Sequence, residues 1–524
     1  MTDSDTPAGT GAAPVVTTSA GPVRGMWRGT PGTPAGSAAF LGIPFAAPPT
    51  GRRRFLAPVP PEPWTEVRDA TAYGPTAQRG DKGETLIPEP SIPGASTLNV
   101  NVFTPHLPEW SVSAGSDGRN PQKLTTRQGA GDATGLPVMV WIHGGGYTDG
   151  SPASPWYDGR TFTRDGVVSV SISYRLGFDG FGIIDGAPAN RGVLDWIAAL
   201  EWVRENIAAF GGDPSRVTIA GQSAGGGAVL RLLALEQAQH LFHAALAISP
   251  ALADLPRERV EARSHRLAEL AGCDPDLDGF RSVPERRIMK LQPQAALLGR
   301  TGIAAVTATL TDGLPWGPVI DGELVTISTV DALRAGVGAD KPLLLGATDD
   351  EFTMVLDDVR GRLRLIPAAW LVARFLRDRP VRRAWLAANR PQRRKGTAAV
   401  LGRFVTDSVF RSLVVRAAEA RGAAPTWAYR FAWVSPTKGW SCHCLDVPFW
   451  FDCLDDPHVA RLAGDDPPQQ LATDMHGAAV AFVRTGDPGW APWRRAPGTA
   501  RVFGAPPGEP LVSTTAYDDA LPLA

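Results

Sequence analysis

Val217-Thr218-Ile219-Ala220-Gly221-Gln222-Ser223-Ala224-Gly225 is the stretch on which the reading of this chain turns. Val217 to Ala220 reads as a short buried strand, and a helical pattern runs from about Gly225 to Glu236. A serine between strand and helix, with glycine two residues before and two after it, meets the demands of a nucleophile elbow. The turn is tight, so positions 221 and 225 must lack bulk. The hydroxyl is pushed out beyond the strand's carboxyl end. The start of the following helix offers backbone N–H groups and a field that favours negative charge. A phosphate-binding loop would instead want Lys followed by Ser or Thr at its end, and neither is present.

About 80 residues upstream, His143-Gly144-Gly145-Gly146-Tyr147 follows Val138-Met139-Val140-Trp141-Ile142, a nearly continuous apolar run suited to a strand buried on both faces. Successive glycines let a backbone approach a bound substrate closely and aim N–H groups at one oxygen. Acyl transfer needs this, because the attacked carbonyl becomes an oxyanion. Gly145, Gly146 and Ala224, the residue after the serine, are the candidate donors. His143 is expected to fix the loop rather than to act as a base.

A serine at neutral pH needs a general base, usually histidine. The chain has eight histidines. In folds with this elbow the order along the chain is Ser, acid, His, which leaves His443, His458 and His476. His476 lies in a helical pattern, and His458 follows Asp455-Asp456-Pro457 in a surface turn. His443 falls about ten residues after the alternating Trp427-x-Tyr429-x-Phe431-x-Trp433. Loops off the carboxyl ends of strands are where chemistry gathers in open α/β sheets, so His443 is the candidate base. The acid should also follow a strand, and Leu343-Leu344-Leu345-Gly346 leads into Asp349-Asp350-Glu351. Spacing leaves all three carboxylates open.

Outward from these motifs the chain has an α/β rhythm. Val167 to Ser173 alternates, and Leu194, Ile197, Leu200, Val203, Ile207 and Phe210 mark one helical face that ends at Gly211-Gly212-Asp213-Pro214. Strands alternating with helices imply a largely parallel sheet. Residues 1–14 read as a flexible tail and 15–524 as a single domain. Residues 107–136 are expected to form an exposed loop insertion. Residues 251–340 and 353–424 are expected to be mostly helical excursions over one end of the sheet.

Composition narrows the function classes. The 524 residues are 43% hydrophobic and 20% charged, ordinary globular values, and the net charge is −1. No global field favours nucleic acid or an anionic membrane. No run of eighteen apolar residues or targeting segment is seen, so no membrane partner and a cytoplasmic location are expected. Four cysteines cannot build a disulfide scaffold. Cys442-His443-Cys444 lacks the paired knuckles of a zinc site, and neither metal nor organic cofactor is expected.

With these motifs in place, the sequence resembles the type-B carboxylesterase family, which includes bacterial para-nitrobenzyl esterases and animal cholinesterases. The resemblance rests on Phe40-Leu41-Gly42-Ile43-Pro44-Phe45-Ala46, Pro48-Pro49-Thr50-Gly51, Leu98-Asn99-Val100-Asn101-Val102-Phe103, Tyr174-Arg175-Leu176-Gly177, Phe210-Gly211-Gly212-Asp213-Pro214 and Ser223-Ala224-Gly225-Gly226. It implies an α/β-hydrolase fold, with a large central mostly parallel sheet flanked by helices and helical insertions covering the active site. The family's Gly-x-x-x-Asp-Glu pattern maps onto Gly346 to Glu351. That implies Glu351 as the acid, with Asp350 the fallback, beside Ser223 and His443. Gly145, Gly146 and Ala224 match the family's oxyanion donors, and Asp446 stands near where an acidic residue is usual.

The departures are also informative. Gln222 stands where the family often has Glu, which removes a negative charge and weakens the case for a cationic substrate. The cysteine of the animal enzymes' early disulfide loop falls near Thr97. Trp196 follows Asp195 where Gln is usual. The expected activity is hydrolysis of small, largely neutral carboxylic esters through an acyl-enzyme, with a small-molecule ester as partner. The alternatives are the same chemistry on amides, carbamates or thioesters, a lipase, and a catalytically silent binding module. The last predicts a missing Ser, acid or His, and all three are present.

Overall fold

The computed structural model describes residues 12–30, 33, 36–77, 83, 85–105, 107, 135–300, 313–495 and 498–524. Among them, eleven strands form one large sheet. In chain order these are β1 (Met26–Arg28), β2 (Ser37–Pro44), β3 (Asn99–Thr104), β4 (Leu136–Ile142), β5 (Val168–Ile172), β6 (Gly212–Gln222), β7 (Ala244–Ile248), β8 (Leu343–Thr348), β9 (Thr426–Phe431), β10 (Ala500–Phe503) and β11 (Val512–Ser513). Across the sheet they lie in the order β11-β10-β9-β8-β7-β6-β4-β5-β3-β2-β1. The strands from β10 to β5 pair in parallel throughout. The antiparallel pairs sit at the two ends.

The two-residue period of the central strands explains why they read as unbroken apolar runs. Val138, Val140 and Ile142 of β4 belong to one core, and Met139 and Trp141 to the core on the opposite face. On the first face pack α1 (Arg191–Asn206), through Val193, Trp196, Leu200 and Val203, and α2 (Ala224–Leu233). On the second packs α3 (Gln469–Thr485), through Ala472, Met475, Ala479 and Phe482. A sheet covered on both sides has no polar face to alternate with.

Several boundaries differ from expectation. β6 runs from Gly212, not Val217, because Gly211 in the left-handed region (φ +84°) ends the preceding helical turn and releases the chain into the sheet. β4 begins at Leu136, so the expected 107–136 loop ends earlier, and residues 108–134 lie outside the described residues. Of the expected tail, residues 1–11 also lie outside them, whereas Ala12 and Pro14 carry hydrogen bonds from Trp27 Nε1 and the Gly25 N–H. Residues 353–424 are helical almost throughout. The segment 251–340 has its helices but also pairs Leu255–Pro256 with Val319–Ile320, while 301–312 are outside the described residues. No helix among the described residues is long and apolar enough to cross a membrane.

Candidate active site

Ser223 sits at the junction of β6 and α2 with φ +58° and ψ −122°, a conformation that costs a non-glycine residue energy. The flanking glycines explain how the turn is built. A Cβ on Gly225 would lie 2.0 Å from the Ile142 carbonyl oxygen, and one on Gly221 would lie 2.5 Å from the Gly225 oxygen. Only residues without side chains let α2 start so close to β4. The Ser223 N–H is anchored on the Ile248 carbonyl of β7 at 3.0 Å.

The glycine loop after β4 lies against this turn, since a Cβ on Gly144 would come within 3.2 Å of Ser223 Cβ. Gly145 has φ +102°, and a Cβ there would meet the Asp149 carbonyl oxygen at 2.2 Å. The Gly145 oxygen accepts from the Thr148 and Asp149 N–H groups, closing a turn. Among the described residues the N–H groups of Gly145, Gly146 and Ala224 donate to no acceptor. Unspent donors in the loop after β4 and at the start of α2 are the kind that can receive an oxyanion.

His143 has the structural part expected of it. Its ring is buried, stacks on Tyr174 at 4.5 Å, and donates from Nδ1 to the Gly144 carbonyl at 2.9 Å. Burial lowers its pKa to about 4, so it is neutral. The Tyr174 hydroxyl donates to the His143 carbonyl at 3.0 Å, and Trp196 packs edge-on against Tyr174. The departure at position 196 thus braces the glycine loop from behind.

The loops after β8 and β9 are laced together. Asp349 N–H donates to the Phe431 carbonyl (3.0 Å), Asp350 N–H to that of Ser441 (2.9 Å), and His443 N–H to that of Glu351 (2.8 Å). This lacing sorts the three adjacent carboxylates. Asp349 forms a two-pronged ion pair with Arg430 at 2.6 and 2.7 Å. Asp350 faces Arg403 at 3.3 Å. Glu351 alone turns to His443, its Oε2 accepting from Nδ1 at 2.5 Å while its Oε1 accepts the Thr348 N–H at 2.9 Å.

The His443 ring packs against Phe352 (4.8 Å, stacked) and Phe410 (5.1 Å), which also touch each other at 5.6 Å. Burial opposes a charge on it, but Cys444 and the Glu351 carboxylate outweigh that and raise its pKa well above the ordinary imidazole value. Its Nε2 lies 3.2 Å from Gln222 Nε2, the residue next to Ser223. The imidazole therefore lies against the residue that precedes Ser223, and among the described residues the Ser223 hydroxyl makes no hydrogen bond to the ring.

Asp446 is buried beneath this assembly and accepts from the Tyr429 hydroxyl at 2.9 Å. His458 lies exposed beside Asp456, and His476 is buried against the Trp450 carbonyl and Asp165. Neither reaches Ser223. Among the described residues no group of three or more His, Cys, Asp and Glu side chains is arranged to hold a metal ion. Sequence reasoning missed the two phenylalanines packed on the ring and the contact of Gln222 with the imidazole. Phe352, directly after Glu351, and the unusual Gln222 were the signals available.

Residues 12–501 match the model of the carboxylesterase family. The chain is 33% identical over 488 residues to a para-nitrobenzyl esterase of Bacillus subtilis (strain 168), which covers 90% of each. It is 33% identical over 480 residues to a phenmedipham hydrolase of Pseudarthrobacter oxydans, 86% of each. Among solved structures, a carboxylesterase of Geobacillus stearothermophilus superposes with a TM-score of 0.74 at 32% identity, over 93% of this chain and 96% of that one.

Proposed function

The chain belongs to the carboxylesterase family, has the α/β-hydrolase fold and is a carboxylic ester hydrolase; on that premise we propose that Ser223 is its nucleophile, His443 its general base and Glu351 the acid that orients the base. The observation that carries this reading is the 2.5 Å contact of Glu351 with His443 Nδ1 beside the strained elbow of Ser223. Glu351 holds the proton on Nδ1, which leaves Nε2 to accept the Ser223 proton as the hydroxyl attacks the ester carbonyl. Such contacts are commonly long in the empty enzyme and tighten around substrate.

The tetrahedral oxygen takes its negative charge into the N–H groups of Gly145, Gly146 and Ala224. Each such donor is worth about 3–4 kcal/mol in the transition state. His443 then protonates the leaving alcohol, and water repeats the sequence on the acyl-enzyme. No step calls for a metal or organic cofactor. The chain from residue 15 to 524 works as one unit in this scheme.

The substrates proposed are small, largely neutral carboxylic esters. The uncharged Gln222 supports this, since no formal negative charge stands at position 222 to select a cation. Likeness to a phenmedipham hydrolase makes phenmedipham the second compound to try. Four unpaired cysteines, three of them buried, fit a reducing, cytoplasmic setting. The test is turnover of aryl and alkyl esters of graded acyl length by the native chain and by Ser223→Ala. A fall in turnover of about a millionfold in the variant supports the assignment. Near-normal cleavage by the variant overturns it.

A further inference from the structure

His443 Nε2 has two neighbours competing for one lone pair. Ser223 must hand it a proton, yet Gln222, buried at the end of β6, already points its Nε2 at the ring nitrogen from 3.2 Å and at Cys444 Sγ from 3.4 Å. An amide N–H can donate to Nε2 only when that nitrogen carries no proton. Glu351 takes the proton on Nδ1 from the other side. When the ring is neutral, as a general base must be, the two contacts together fit one tautomer, with its proton on Nδ1.

We infer that Gln222 is a positioning residue for the base: until Ser223 Oγ takes its place at Nε2, its carboxamide holds the His443 ring, once the ring is neutral, with Nε2 unprotonated, and it keeps a further carboxylate away from that nitrogen. The inference rests on the reading of His443 as the base. The charged and titratable groups facing the ring are Glu351 from the loop after β8, and Asp446 and Cys444 from its own loop. Phe352 and Phe410, packed on the ring, carry no charge. Cys444 and Glu351 already favour a proton on the imidazole. A carboxylate at position 222 would accept from Nε2–H and favour the imidazolium, which cannot receive the serine proton. The amide forms its contact without adding that charge.

The test is the pH profile of kcat/KM on a neutral aryl acetate for the native enzyme, Gln222→Glu and Gln222→Met. Gln222→Glu is expected to move the acidic limb up by about one to three pH units. Gln222→Met, which removes the donor without adding charge, is expected to lower kcat about tenfold without raising the limb. A merely structural role would depress activity equally at every pH. The inference is overturned if the limb of Gln222→Glu coincides with the native one, or if Gln222→Met raises it as far. Should Gln222→Glu not fold, ¹⁵N spectra of the native His443 ring decide. The neutral ring is expected as the Nδ1–H tautomer, and the Nε2–H tautomer overturns the inference. An unmoved limb with an inactive Ser223→Ala sinks this inference alone, whereas an active Ser223→Ala sinks the assignment of the site.

Discussion

Glu351 reaches His443 across two crossover loops, its Oε2 2.5 Å from Nδ1 while its other oxygen is pinned by the Thr348 N–H at 2.9 Å. A carboxylate held at both oxygens cannot swing away when the ring becomes charged. It therefore stabilises the imidazolium without having to reorganise.

Glu351→Gln keeps the shape of this contact but not its charge, and the amide can present a donor to Nδ1. It is expected to lower kcat by about ten-thousandfold, measured on a soluble aryl ester. Asp350→Asn loosens the ion pair with Arg403 and is expected to show in thermal stability rather than in kcat. The reverse pattern would make Asp350 the acid.

Gly225→Ala places a Cβ 2.0 Å from the Ile142 carbonyl oxygen, where only backbone movement can make room. The expected loss of stability is about 3 kcal/mol, read from denaturant melts. A variant as stable as the native chain would show that β4 and α2 are not packed so closely.

Burial, and next the charge of Glu351, raise the Asp446 carboxyl to about 7, and one of its oxygens has no hydrogen-bond partner. In the unfolded chain an aspartate titrates near about 3.9. Between those values the folded protein holds a proton that the unfolded chain has lost. The cost of ionising Asp446 thus grows as pH rises from about 4 to about 7 and then levels off. In Asp446→Asn that cost is absent. Its melting temperature relative to the native chain is expected to become more favourable between pH 5 and pH 8. A difference independent of pH would contradict the raised carboxyl.

The parts of this site legible in the sequence are those that backbone geometry stamps locally. Gly221 and Gly225 around Ser223 and the glycines after β4 are demanded by close approach, so they stand at fixed offsets. His443 was legible from its place after an alternating strand. Spacing alone could not choose among Asp349, Asp350 and Glu351, which the family pattern had to do, because they are sorted by Arg430, Arg403 and His443 from elsewhere in the chain. The same holds for Gln222, whose contact spans 221 positions. In the fold, β10 and β11 escaped notice because four and two residues carry no usable period. The first half of β6 was hidden behind Gly211-Gly212-Asp213-Pro214, a stretch that reads as a helix stop.

The central claim is that the nucleophile is the Ser223 oxygen. The most direct measurement is to inactivate the native enzyme with a fluorophosphonate and locate the adduct by peptide mass spectrometry. One phosphonyl group per chain, on the peptide containing Ser223, in step with loss of esterase activity and absent from His443→Ala, is the predicted result. Full inactivation with the label on another residue, or an active esterase that takes up none, would contradict it.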